Sequence, residues 1–254
     1  VNVWCAAGKG SFGTTELVER IRISNLAQVV EHRELILPQL GAPGIAVHAV
    51  RKLSGFQARY GPILAADLPN YLANGSQATP EMRRKRFPLA ERFVLIPMEL
   101  VGAGKWALLI MPLLMLLGGL GGPGGYWANA FQYGLVAGLA YLIGILAGTA
   151  LMPLLLPVLP GRAFAFKGVA AGLVAGLPFI AWRAASGLPA NTMELAGLIL
   201  VILAVSSYYG MNFTGSSTYT SLAGVKKEMR WAVPFQIGAV LLGSVFWLVS
   251  RFLY

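Results

Sequence analysis

No charged side chain occurs between Trp106 and Gly161, and apolar residues fill that stretch almost without a break. At roughly 20 residues per bilayer crossing it is long enough for two membrane helices. The same hydropathy returns three times further on. Five membrane helices are therefore predicted near residues 101–120, 130–152, 164–182, 194–210 and 232–252. Gly118–Gly125, dense in glycine with one proline, predicts the hairpin between the first two. Residues 1–98 follow another rhythm, in which short apolar runs alternate with helical stretches, as in βα units. Val1–Trp4 reads as a strand and Gly8–Gly13 as a glycine-rich turn. Thr14 is placed to cap a helix running to Ser24, with Glu16 near its positive end. Leu35–Leu37 reads as a buried strand ending at Pro38, and Gly41–Gly44 as a turn before a helix to Leu53. Phe56, Ala58 and Tyr60 alternate as a second strand. Ala65–Leu72 predicts a short helix with Pro69 in its first turn. Arg83–Arg86 predicts a solvated loop and Phe93–Pro97 a last strand. The pattern divides the chain into an α/β domain over 1–98 and an all-α transmembrane domain over 99–254.

Composition agrees with this division. Only 12% of the residues are charged, about half the usual share for a soluble domain. Of 20 Lys/Arg and 10 Asp/Glu, 13 and 8 lie in residues 1–105. The net charge of +10 is concentrated before the first apolar helix and in 211–231, which carries Lys226, Lys227 and Arg230. The positive-inside rule then puts the N-terminal domain and the 211–231 loop on the cytoplasmic side, with the C-terminus outside. Lys167 and Glu194 fall near predicted helix ends, where Lys167 can snorkel to the interface. A transport site needs polar groups at mid-depth, which weighs against a transporter. A single cysteine excludes a disulfide framework and any self-contained Cys₄ cluster.

The densest chemistry lies at the start of the chain. Gly8-Lys9-Gly10-Ser11-Phe12-Gly13 matches G-x-G-x-x-G, with Glu31 and Glu34 roughly 20 residues further on, as in a dinucleotide site. A tight glycine turn between strand and helix explains the same residues equally well. Cys5, the sole thiol, reads either as a small buried hydrophobe or as a thiolate ligand for a soft metal. Lys9, the amides of the glycine turn and a following helix N-terminus would all favour thiolate. One cysteine cannot hold a metal alone, so any metal would arrive inside a cofactor. His32 and His48 read as ordinary surface histidines. The Ser/Thr-rich run Thr214–Ser221 reads as a polar turn, or as a loop that helps seat a cofactor or partner.

Asn2-Val3-Trp4-Cys5-Ala6-Ala7-Gly8-Lys9 resembles the N-[VI]-W-C-A-[AG]-G-K signature of the HgcA family of mercury-methylation corrinoid proteins. The resemblance continues through Gly10–Thr14, Leu37–Gly44, Tyr60-Gly61-Pro62 and Ala66-Asp67-Leu68-Pro69. Much of that soluble pattern is shared with corrinoid iron–sulfur proteins. Asn212-Phe213-Thr214-Gly215 and Gly224–Met229 resemble the HgcA membrane region in particular. Family members carry a further segment before the signature, so an N-terminal truncation is expected.

The resemblance implies a Rossmann-like corrinoid-binding domain, incomplete at its N-terminus, followed by the five-helix domain. It places the signature on a cap helix, against the strand read locally, and makes Cys5 the lower axial ligand of the corrinoid cobalt. It implies a pocket drawn from Asn2, Val3, Trp4, Ala6, Ala7, Gly8, Lys9, Gly10, Phe12, Gly13, Thr14, Gln39, Gly41, Gly44 and Gly61, whose glycines let the backbone approach the ring. The G-x-G-x-x-G match is then a coincidence of glycine density. The implied activity is methyl transfer from the methyl-cobalt corrinoid to inorganic Hg(II), giving methylmercury, with the thiolate labilising the methyl group opposite it. The implied partners are a ferredoxin-like reductant (HgcB-like), a methylated pterin or folate donor, Hg(II) and the lipid bilayer, with no nucleic acid. Arg83–Arg86 could steer an acidic ferredoxin or lie against the membrane surface. The implied location is the cytoplasmic membrane. Two other readings remain: a methyl carrier of an acetyl-CoA-type pathway, and a membrane transporter or sensor with a nucleotide-binding domain.

Overall fold

The structure, a computed structural model, describes residues 3–8, 10–187, 190–213 and 222–253, with backbone alone at 4, 5, 8, 222 and 223. It falls into two compact units, Val1–Arg86 and Phe87–Tyr254.

In the first unit the order is α1 (Val3–Gly8), α2 (Thr14–Ile23), α3 (Leu26–Val29), β1 (Glu34–Leu37), α4 (Val47–Ser54), β2 (Gln57–Tyr60) and α5 (Leu68–Ala73). β1 and β2 pair in parallel from Glu34 opposite Gln57 to Leu37 opposite Tyr60. With α4 between them they form one βαβ unit. Its core gathers Ile21, Leu37, Ile45, Val50, Phe56 and Ala58. Leu37 and Ala58 are buried because alternate strand residues face the helices. These are the only strands among the described residues, so a doubly wound sheet is not displayed.

Two expected strands are helical. Val3–Trp4 lies in α1, and Phe93–Pro97 lies within α6 (Leu89–Gly118), which begins at Leu89 rather than near 101. Apolar runs of four or five residues carry no period that separates strand from helix. Thr14 opens α2 but does not cap it. Its Oγ1 accepts from Ala46 N at 2.9 Å, and the cap position is held by Gly13.

The second unit holds α6, α7 (Tyr126–Leu154), α8 (Phe164–Ala185), α9 (Thr192–Asn212) and α10 (Leu222–Ser250). All five contain a segment long and apolar enough to cross a membrane. Their faces meet through small residues, as expected where lipid removes the hydrophobic drive between helices. A Cβ on Gly197 would stand 2.6 Å from Gly243 O, and one on Gly243 would stand 2.8 Å from Gly197 O. α9 and α10 therefore touch backbone to backbone. Ser206 Oγ likewise donates to Gly168 O at 2.6 Å between α9 and α8. Two π-helical turns, Ala130–Gly134 and Ala147–Leu151, interrupt α7. At the first, a Cβ on Gly134 would lie 2.5 Å from Met115 Cα of α6.

Charged side chains near the helix ends satisfy backbone groups that lipid cannot. Arg92 Nη1 donates to the carbonyls of Pro153 and Leu154 at 3.0 and 2.7 Å. Lys167 does not simply reach outward as expected. Its Nζ donates to Leu156 O and Leu159 O at 2.8 and 2.6 Å. Glu228 accepts from Ala165 N at the positive end of α8.

Candidate functional site

The signature stretch folds over Val3–Gly8 as the short helix α1 and not as the strand of the local reading. Backbone and hydroxyl donors hold it. Phe12 N donates to Ala6 O at 3.0 Å, Gly10 N to Ala7 O at 3.3 Å, and Ser11 Oγ to Ala6 O at 3.2 Å. The turn amides of Gly10 and Phe12 are thus committed to carbonyls of α1.

α1 packs on the 3₁₀ turn Gln39–Gly41, which follows the C-terminal end of β1. Close backbone packing there explains three glycines. A Cβ on Gly44 would meet Phe12 O, with Ala7 O at 2.8 Å and Ala7 Cα at 3.0 Å. One on Gly13 would lie 3.1 Å from Gly10 O, and one on Gly41 2.7 Å from the Phe12 ring. Thr14 N donates to Gly44 O at 3.2 Å. Ala6, Ala7, Gly10, Phe12, Gly13, Thr14, Gln39, Gly41 and Gly44 therefore form one neighbourhood. Gly61 stands just past the end of β2, its N donating to Leu37 O at 2.8 Å and its missing Cβ occupied by Ile36. The glycines at 13, 41, 44 and 61 are accounted for by contacts inside the protein. Gly10 differs, with φ +82° and nothing within 4 Å of where a Cβ would stand. Asn2 and Lys9, and the side chains of Trp4 and Cys5, lie outside the described residues, as does Thr214–Ser221. Tyr60 Oη donates to Ile45 O at 2.6 Å, fixing the loop that leads into α4, and burial pushes this phenol up from its ordinary value.

The dinucleotide fingerprint loses its context, because a helix and not a strand precedes Gly8. Glu34, one of its two acids, is ion-paired with Arg59 at 2.9 Å, and Glu31 is exposed. His32 and His48 lie at the surface as expected. Among the described residues no group of three or more His, Cys, Asp or Glu could hold a metal ion.

A second polar centre lies at one end of the membrane unit, where sequence reasoning saw only residues near helix ends. Arg183, Glu194 and Arg251 come from α8, α9 and the residue after α10, and all three are fully buried. The Arg251 guanidinium stands 3.0 Å from the Tyr133 ring centroid. Gly122 N donates to Arg251 O at 2.7 Å, which ties in the α6–α7 hairpin. The signal available in the sequence was the sign of charge at helix ends, one acid against two bases.

No family model matches the chain, and neither a curated protein nor a solved structure matches it.

Proposed function

We propose that this protein is a membrane-anchored, corrinoid-dependent methyltransferase that passes a methyl group to inorganic Hg(II). The observation that carries the reading is the seating of α1. The helix bearing the sole cysteine rests on the turn that follows a parallel strand, the edge where α/β units bind their ligands. The residues fit such a group in two respects. A corrinoid would need one donor atom from the protein for its metal, and the chain has one thiol. In the turn after α1, Gly10 leaves open backbone.

When bound, the corrinoid supplies a methyl group that can leave with its bonding electrons. Cys5 is the residue that would hold the metal, and its sulfur would donate electron density as a thiolate, because a metal-bound thiol is deprotonated outright. The backbone bonds from Gly10 and Phe12 hold the helix that carries Cys5. Gln39, Gly41 and Gly44 form the floor under the helix. The finer Rossmann-like architecture of 1–98 belongs to this proposal.

With no cluster-forming cysteines of its own, the chain takes electrons from a ferredoxin-like partner, and it takes methyl groups from a methylated pterin donor. The excess of Lys/Arg before α6 and in 211–231 sets the first unit on the cytoplasmic side of the cytoplasmic membrane and the C-terminus outside. The test is methylmercury formation by the full-length, corrinoid-loaded protein with reduced ferredoxin and Hg(II). A folded, loaded Cys5→Ala variant is expected to fall to background. Parent-level turnover by that variant overturns the reading.

A further inference from the structure

The start of α8 and the first turns of α10 meet at one end of the membrane unit, and their charged side chains are sorted by sign. Glu228 is buried and accepts from Ala165 N, so the acid of this region points inward. Lys226, Lys227 and Arg230 around it on α10 are exposed, as is Arg162 just before α8. Lys167 donates to two carbonyls, whereas none of these four bases is bonded through its side chain among the described residues. The end therefore presents bare positive charge with its one acid hidden.

Two rings bridge the same helices beside the bases. Phe166, in the first turn of α8, and Trp231 of α10 lie 5.3 Å apart between centroids, and both are exposed at 59% and 37%. Arg230 and Trp231 follow Lys227 by three and four positions, so the three side chains share one face of α10. Further along the helix the exposed residues turn apolar. Phe235 is 75% exposed and lies about 8 Å beyond Arg230 at 1.5 Å per residue. Exposed bases, then a tryptophan, then an exposed phenylalanine mark where water gives way to hydrocarbon. The bases stand at the level of lipid phosphates.

We propose that this face of α8 and α10 holds the headgroup of an anionic phospholipid. The phosphate accepts from Lys227 and Arg230, and Arg162 adds charge from the α8 side. The glycerol rests on the Phe166–Trp231 pair, and the acyl chains run past Phe235. A zwitterionic lipid carries the same phosphate, but its ammonium group would be brought against the bases, so net charge distinguishes the two. An acidic soluble protein would match the charge and leave the exposed apolar residues below without a partner. No residue of the methyl-transfer pocket takes part, and the proposal stands or falls separately from that reading.

The test titrates the full chain in dodecylmaltoside with dioleoylphosphatidylglycerol or dioleoylphosphatidylcholine, and native mass spectrometry reads the affinity of the first bound lipid. The parent is expected to bind phosphatidylglycerol about tenfold tighter, because each base near an anionic headgroup adds to the attraction. Lys227→Gln combined with Arg230→Gln is expected to remove most of that preference and leave phosphatidylcholine affinity unchanged. Arg51→Gln combined with Lys52→Gln removes the same charge from the exposed end of α4 and is expected to keep the preference. Should the first pair fail to fold, Arg162→Gln, in the loop before α8, is expected to lower the preference about threefold. Equal affinity for the two lipids on the parent, or an equal loss in the two double variants, overturns the proposal and leaves the bases to diffuse charge or an acidic soluble partner.

Discussion

Nε and Nη2 of Arg183 both reach Oε1 of Glu194, at 2.9 and 2.8 Å, and neither side chain has exposed surface. Arg251 Nη1 approaches the other carboxylate oxygen at 3.6 Å, beyond hydrogen-bond distance. Two bases thus share one acid, and the Tyr133 ring takes up the second guanidinium at its face. Removing the acid would strand two buried positive charges. Glu194→Leu is expected to lower stability by about 3–5 kcal/mol, the usual cost of breaking a buried pair from one side. Arg183→Met should cost a similar amount, and the double variant much less than the sum. Unfolding of the four proteins in detergent checks this. Additive losses would contradict the pairing.

The glycines separate into two kinds. A methyl group at Gly44 would press on backbone atoms of Phe12 and Ala7, which cannot rotate away. At Gly102, exposed within α6, nothing stands within 4 Å. Gly44→Ala is expected to destabilise by about 1–3 kcal/mol through overpacking. Gly102→Ala should be neutral or stabilising by up to about 1 kcal/mol through helix propensity. Thermal unfolding of each variant is the measurement, and equal effects would contradict the packing of α1 on its glycine floor.

Tyr60 gives the first unit a pH dependence of known sign. Burial raises its phenol above the ordinary value of 10.0, so the folded form keeps its proton after the unfolded form has lost it. Its contribution is complete below about pH 10 and declines as pH rises through the folded value. At neutral pH, Tyr60→Phe should cost about 1 kcal/mol for the bond to Ile45 O. The gap between parent and variant should narrow above about pH 10 in denaturant unfolding followed against pH. A gap that stays constant would contradict this.

Five apolar spans were legible because the charge-free run 106–161 is long enough for two crossings and the same hydropathy returns three times after it. β1, β2, α2 and α4 were legible for a different reason, since turn residues bound each of them. Phe93–Pro97 was not, because five apolar residues ending in proline read as a strand until the helix that continues through Pro97 is seen. Val3–Gly8 was not legible from the local pattern, which reads as a strand. Its helix is held by bonds from Ser11 and Phe12, and local periodicity carries no trace of them. The triad of Arg183, Glu194 and Arg251 spans 69 positions of sequence and becomes a site only when three helix ends meet. Gln236 is the one polar side chain in the run Trp231–Gly243, and its bond to Ser207 on another helix leaves no trace in the sequence.

The central claim is one sulfur bound to one cobalt. X-ray absorption at the cobalt edge, on the full-length protein loaded with corrinoid, reads the axial donor directly. The account predicts a sulfur scatterer in the first shell, absent from an equally loaded Cys5→Ala protein. A first shell of nitrogen and oxygen alone in the parent protein would contradict it.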